Sequence, residues 1–136
     1  MINVIFCGDR NWKDCDLVHR IIYLVNKKYG PIKVIEGEAR GADTCAKLAA
    51  IQLGIPFEGY KPDWRIGPGG GPVRNKKMLT EEKPTITVGF HDNIMESTGT
   101  IDMLKKSAQA QIPTFLVTHK GWEWFSTEKE GFDLNE

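Results

Sequence analysis

The 136 residues balance 18 Lys and Arg against 18 Asp and Glu, so no net field draws the chain to nucleic acid or to an anionic membrane surface. At 40% hydrophobic content and a mean hydropathy of −0.35, the composition is that of a globular chain with material for one core. No apolar run approaches the ~20 residues of a spanning helix, the first residues lack a signal-peptide layout, and the three cysteines (Cys7, Cys15, Cys45), odd in number and far apart, suit a reducing cytoplasm.

In chain order, residues 2–7 (INVIFC) form a nearly continuous apolar run, the mark of a strand buried on both faces. After the turn GDRNW, Asp14 or Asp16 caps a helix whose Leu17, Val18, Ile21, Ile22, Leu24 and Val25 share one face. Gly30-Pro31 stops it. A second strand over residues 32–35 leads into EGEARGAD, followed by an alanine-rich helix over 42–53 and a third strand over 55–60. Residues 67–72 then pack four glycines and two prolines before Arg74, Asn75, Lys76 and Lys77, with a helix expected over 72–80. A fourth strand over 85–90, a polar loop, a helix capped by Ser97 or Thr98 and lasting to about 111, and a fifth strand over 113–118 complete the pattern. Strand and helix in alternation predict a single α/β domain with a mostly parallel five-stranded sheet and helices on both faces. Residues 1–119 make up this domain; residues 120–136 form an extension. Its Trp122, Trp124 and Phe125 are expected to dock on the domain or on a neighbouring subunit, and its acidic end from Glu128 is expected to fray.

In such a sheet, ligands bind beyond the carboxyl ends of the strands. Four loops leave those ends, at residues 8–12, 37–43, 60–74 and 91–100, and they carry Arg10, Arg40, Lys61, Arg65 and Arg74 with several glycines and the capping Ser97, Thr98 and Thr100. A glycine-rich loop entering a basic helix start leaves backbone N–H groups open to an anion, and an arginine adds a fork of donors. Phosphate is the ligand these donors suit. The P-loop pattern G-x-x-x-x-G-K-[ST] does not occur, and Gly67-x-Gly69 meets Pro72 where G-x-G-x-x-G needs glycine, so a P-loop NTPase and an ordinary dinucleotide dehydrogenase are both unsupported. Cys15 and His19 stand four apart, but with no second pair they read as packing or surface residues, so no metal site and no cofactor are expected. Trp12 and Trp64 are candidates for stacking on a base, with core packing the alternative.

The blocks GDRNW, GEARGAD, KPDW, GPVRNKKM and STGTIDM, in that order, resemble the YspA-like family within the SLOG superfamily. This superfamily is Rossmann-like and includes the Lonely Guy phosphoribohydrolases, the DNA-processing protein A group and sensor domains for nucleotide-derived signals. The resemblance implies a nucleotide pocket with Gly37, Arg40, Gly41 and Asp43 on one side. Arg74 and Asn75 would lie on an arginine-bearing helix, with Gly99 and Thr100 at a phosphate-facing turn. With the loops read above, the ligand-binding set is Gly8, Arg10, Trp12, Gly37, Arg40, Gly41, Asp43, Trp64, Gly71, Arg74, Asn75, Thr98, Gly99 and Thr100. The phosphoribohydrolases carry P-G-G-x-G-T-x-x-E; here the stretch before Gly99 reads MEST, and the glutamate position falls on Met103. Asp102 is one residue, or about 100° of helix, away. Hydrolysis of an N-glycosidic bond needs a carboxylate, so Asp102 and Glu96 stand as weak catalytic candidates.

The reading is therefore a module that binds a nucleotide or ADP-ribose-like phosphate ligand for sensing or sequestration. The alternatives are an N-glycosidic phosphoribohydrolase acting on nucleoside monophosphates and, second, a single-stranded DNA binder, against which the zero net charge argues. A small-molecule partner, no membrane, and a homodimer or homotetramer as superfamily members often form complete the expectations. Arg74→Ala is expected to spare the fold.

Overall fold

The computed structural model describes residues 1–126 and 128–136. Its strands are β1 (Ile2–Gly8), β2 (Ile32–Glu36), β3 (Phe57–Gly59), β4 (Ile86–Phe90), β5 (Thr114–Thr118) and β6 (Gly121–Ser126). Its helices are α1 (Cys15–Tyr29), α2 (Ala42–Leu53), α3 (Gly70–Glu82) and α4 (Gly99–Gln109), with short 3-10 turns at Trp64–Ile66 and Ile94–Glu96. Among the described residues the sheet has six strands in the order β3-β2-β1-β4-β5-β6. The first five are parallel and β6 is antiparallel to β5. The α/β class and parallel sheet are as the sequence predicts; the strand count is one higher.

β1 is central because its side chains alternate between two apolar layers. Val4 and Phe6 face the core under α1 and α2, and Ile5 and Cys7 face the core under α3 and α4. The Asp14 side chain caps α1 by accepting the Leu17 N–H at 3.1 Å. The alanines of α2 (Ala42, Ala46, Ala49, Ala50) are all buried and let it lie close against α1. Strand order reverses between β1 and β4, where the chain crosses from one side of β1 to the other, and that opening lies at the carboxyl ends of both strands.

The aromatic residues of the extension dock on the domain, one of the two places expected for them, whereas the expected fraying of its end is overturned. Trp122 and Trp124 alternate along β6 onto one face, where both pack on Phe115 of β5, Trp124 stacked at 4.3 Å between ring centroids. Beyond Glu128 the end does not fray at residues 132–135. Phe132 stacks on Tyr29, Leu134 is buried, Asp133 pairs with Lys28, and the Asn135 carbonyl accepts from Lys28 at 2.9 Å. The aromatic residues find an uncovered sheet edge, and the apolar Phe132 and Leu134, spaced two apart, return to α1.

The cysteines also differ from expectation. Cys15 and Cys45 form a disulfide, with Cα atoms 4.9 Å apart, because α1 and α2 pack side by side and start at the same end. Thirty residues of sequence separation conceal that neighbourhood. Cys15 is thus not half of a metal pair with His19, and the cysteines give no support to a reducing compartment. Cys7 is free and buried, and burial pushes its thiol pKa up. No described helix is long and apolar enough to cross a membrane.

Candidate functional site

The carboxyl ends of β1, β2 and β4 and the starts of α3 and α4 surround a cleft of about 680 Å³. Its floor is apolar and sulfur-rich, with Cys7, Met78 and Met103 all buried. The loop after β1 passes close under the rim. Gly8 is required there, since a Cβ would come 2.5 Å from the Phe90 carbonyl oxygen and 2.7 Å from the Ala42 Cβ. The Asp9 backbone carbonyl then accepts from both Trp12 and Ala42 at 3.1 Å, tying this loop to the start of α2. Arg10 projects from it, exposed, at the cleft edge.

The loop after β2 is held by carboxylates. Asp43, buried in the first turn of α2, accepts the Gly37 N–H at 2.9 Å and the Ala39 N–H at 3.3 Å. Burial raises its pKa to about 6; the Arg74 guanidinium and the two N–H groups oppose the rise. The N–H of Gly37, which the sequence assigns to a ligand, is therefore already occupied, as is that of Ala39. Glu36, the last residue of β2, is almost wholly buried, and its Oε2 accepts the Glu38 N–H at 2.6 Å. Its Oε1 has no partner among the described residues. Burial, with the nearby charges of Asp43 and Glu38, pushes its pKa up to about 8 against the effect of that N–H.

Across the cleft, the glycine run is not a free loop. Gly70 and Gly71 belong to the first turn of α3, where a Cβ would meet the Asp63 carbonyl oxygen at 2.5 Å and the Trp64 ring at 3.2 Å, respectively. The exposed indole of Trp64 lies over that helix start, beside the cleft. The Gly71 N–H makes no bond to another described residue, and the same holds for the Gly99 N–H at the start of α4. The next two donors of α4, on Thr100 and Ile101, are capped by Ser97 Oγ at 3.0 and 3.1 Å.

Arg74 is half-buried rather than exposed. It donates from Nη1 to the Gly37 carbonyl and from Nε to Asn75 Oδ1, the latter at 2.8 Å, which leaves Nη2 without a hydrogen-bond acceptor among the described residues. Because it also faces the buried Asp43, Arg74 has a structural role that the sequence reading does not anticipate, and Arg74→Ala will cost stability as well as donors. Asn75 is buried and spends its amide on Asp102 Oδ2 at 3.0 Å and on the Gly99 carbonyl.

Of the residues expected to bind a ligand, twelve line the cleft: Gly8, Arg10, Gly37, Arg40, Asp43, Trp64, Gly71, Arg74, Asn75, Thr98, Gly99 and Thr100. Trp12 does not. It is buried on the α1 side, stacked on His119 at 4.6 Å, and its indole N–H donates to the Asp14 carbonyl. Gly41 does not either; its left-handed φ of 78° turns the chain beneath the Asp9 and Arg10 carbonyls. Lys61 and Arg65 also lie outside the lining, and Arg65 pairs with Asp63. Glu96 lines the cleft, whereas Asp102 does not and is engaged by Asn75 and Lys106.

Of the acidic half of the site, the sequence singles out Asp43 and Glu96, but neither Glu38 nor the gathering of four carboxylates in one lining. Asp9, Glu38 and Glu96 stand in the lining with Asp43, and His91 approaches Asp9 at 3.8 Å. Three arginines face four carboxylates, so the cleft is mixed in charge rather than cationic. A polar residue closing an apolar strand, as Glu36 closes β2, was the available signal.

Residues 2–67, just under half of the chain, match the profile of the family YAcAr, described as the YspA, cpYpsA-related SLOG family. A search of curated proteins finds no match. Among solved structures, DNA processing protein A from Streptococcus pneumoniae aligns with a TM-score of 0.66 at 19% identity, over 85% of this chain and 50% of that one. The UDP-GlcNAc 2-epimerase from Neisseria meningitidis, solved bound to UDP-GlcNAc, aligns with a TM-score of 0.55 at 13% identity, over 86% of this chain and 32% of that one. The chain thus spans half of the first and about a third of the second, and at these identities the likeness is one of fold. The ordered motifs and the profile match make residues 2–67 of this chain similar to the YspA, cpYpsA-related SLOG family, and the parallel sheet is of the same Rossmann-like class as the two solved structures.

Proposed function

We propose that the domain binds a nucleotide or a nucleotide-derived, ADP-ribose-like phosphate ligand in the cleft, for sensing or sequestration. The observation that carries this reading is the convergence of unspent donors on one opening. Arg10, Arg40 and the Nη2 of Arg74 meet the free N–H groups of Gly71 and Gly99 there, beside the exposed indole of Trp64. Cations and helix starts suit phosphate, the indole suits a base, and carboxylates such as Asp9 and Glu38 suit ribose hydroxyls. A ligand present at 100 times its Kd adds about 2.7 kcal/mol to stability. AMP, ADP and ADP-ribose should therefore raise the melting temperature where adenosine does so less. An unchanged melting temperature across that panel at millimolar concentration would remove the reading.

The phosphoribohydrolase reading is kept by Glu96, a carboxylate in the lining with no salt bridge among the described residues. Release of adenine from AMP, lost in Glu96→Gln, would move it ahead; no release from any nucleoside monophosphate would discard it.

A further inference from the structure

We infer that Asn75 and Asp102 are positioning residues: they form a relay that holds the Arg74 guanidinium toward the cleft, so the phosphate-binding fork is set from α4 and not from α3 alone. The inference rests on the phosphate-ligand reading for its binding arm. Each link is directional. Asp102 is a carboxylate and can only accept, so the group facing it must be the Asn75 amide nitrogen, at 3.0 Å. That choice leaves Asn75 Oδ1 to accept from Arg74 Nε at 2.8 Å. A flipped amide would set NH₂ against a guanidinium N–H and oxygen against a carboxylate, two repulsive contacts in a buried place. Lys106, one turn after Asp102 on α4, donates to the other carboxylate oxygen and completes the chain.

The consequence is that one edge and one corner of the guanidinium are fixed, by Asn75 and by the Gly37 carbonyl, while Nη2 remains unspent. Holding a planar cation in advance of binding lowers the entropy lost when phosphate arrives. Because Asn75 also donates to the Gly99 carbonyl, the same amide sets the distance between Arg74 and the start of α4, whose Gly99 N–H is free. Asp102, adjacent to the position where a hydrolase carries its glutamate, is thereby assigned to orientation and touches no ligand.

The test is a double-mutant cycle with AMP and adenosine as probes, together with the side-chain NMR signal of Arg74. Asp102→Ala should weaken AMP binding about tenfold, change adenosine binding little, and have no further effect once Arg74 is Ala. Asp102→Asn, which can still present an acceptor to Asn75, should recover most of the loss. In the ligand-free protein, the Arg74 Hε signal should exchange slowly with water and broaden in Asp102→Ala. Equal losses for AMP and adenosine, or an undiminished Asp102→Ala effect in the Arg74→Ala background, would overturn the relay. Absence of AMP binding by the wild-type protein would count against the ligand reading instead. The NMR arm then decides the relay alone: an Arg74 Hε signal indifferent to Asp102→Ala, with the variant folded by its melting curve, refutes it.

Discussion

The two faces of the sheet are built on different principles. On the α1/α2 face the packing is aliphatic and aromatic nearly throughout, from Val4, Phe6 and Ile22 to Phe90 and Phe115, and a disulfide joins the two helices. The α3/α4 face has the smaller apolar cluster, and its helices are joined by the polar chain Arg74–Asn75–Asp102–Lys106. Apolar packing is non-directional and tolerant of small shifts, whereas hydrogen bonds set angles. One face supplies stability and the other supplies geometry, and the cleft opens where the two meet at the end of β1.

The most severe break in that contrast should come from the stable face. Phe6→Ala removes a fully buried ring and is expected to cost about 3–5 kcal/mol, read as a lower denaturant midpoint. Leu104→Ala on the other face should cost less, because the smaller cluster is nearer the open cleft; equal costs would mean that the faces do not divide the work. Next in size is the disulfide. Opening the bond across its 30-residue separation should cost roughly 3 kcal/mol through the unfolded chain, measured as a melting-temperature drop with a thiol reductant. A Cys15→Ala/Cys45→Ala variant indifferent to that reductant is the control, and an indifferent wild-type protein would show that the bond does not stabilise the α1/α2 face.

A smaller effect, with a pH signature, is expected at Glu36. Its folded pKa, about 8, lies above the unfolded value of 4.5. Its contribution to stability is therefore fully present below pH 4.5 and is lost as pH rises through about 8. Glu36→Gln keeps a neutral acceptor for the Glu38 N–H, so the variant should gain on the wild type by on the order of 2 kcal/mol between pH 5 and 9. Parallel stability curves over that range would show that Glu36 is ionised in the folded protein. The smallest change should come from Gly99→Ala. No heavy atom lies within 4 Å of the added Cβ, so free-protein stability should move by less than about 0.5 kcal/mol, while AMP binding weakens if phosphate sits against that turn. A large stability loss would mean that the α4 start is more tightly packed than its open surroundings indicate.

Much of this was legible in the chain. INVIFC reads as a central strand because both faces of it must be apolar, and Asp14 reads as a cap because it precedes a periodic apolar run. The four loops at the carboxyl ends do converge, since a parallel sheet leaves its strand ends on one side. Trp12 was less legible, because an indole near a glycine turn has the same sequence signature whether it faces a ligand or, as here, a histidine and a phenylalanine. Nor could the balance of charge at the cleft be read by collecting arginines, since only the fold sets Asp9, Glu38 and Glu96 in the same lining.

Periodicity and turn chemistry are local, so the sequence by itself determined the order of strands and helices, the class of sheet and the rim on which the four loops gather. Only the tertiary structure decided which donors at that rim are still free. Asp43 consumes the N–H groups of residues 37 and 39, Ser97 consumes two at α4, and Asn75 binds Arg74 to Asp102 across 27 residues of sequence. A hydrogen bond satisfies a donor once, and its partner is chosen by proximity in space, which no spacing along the chain encodes.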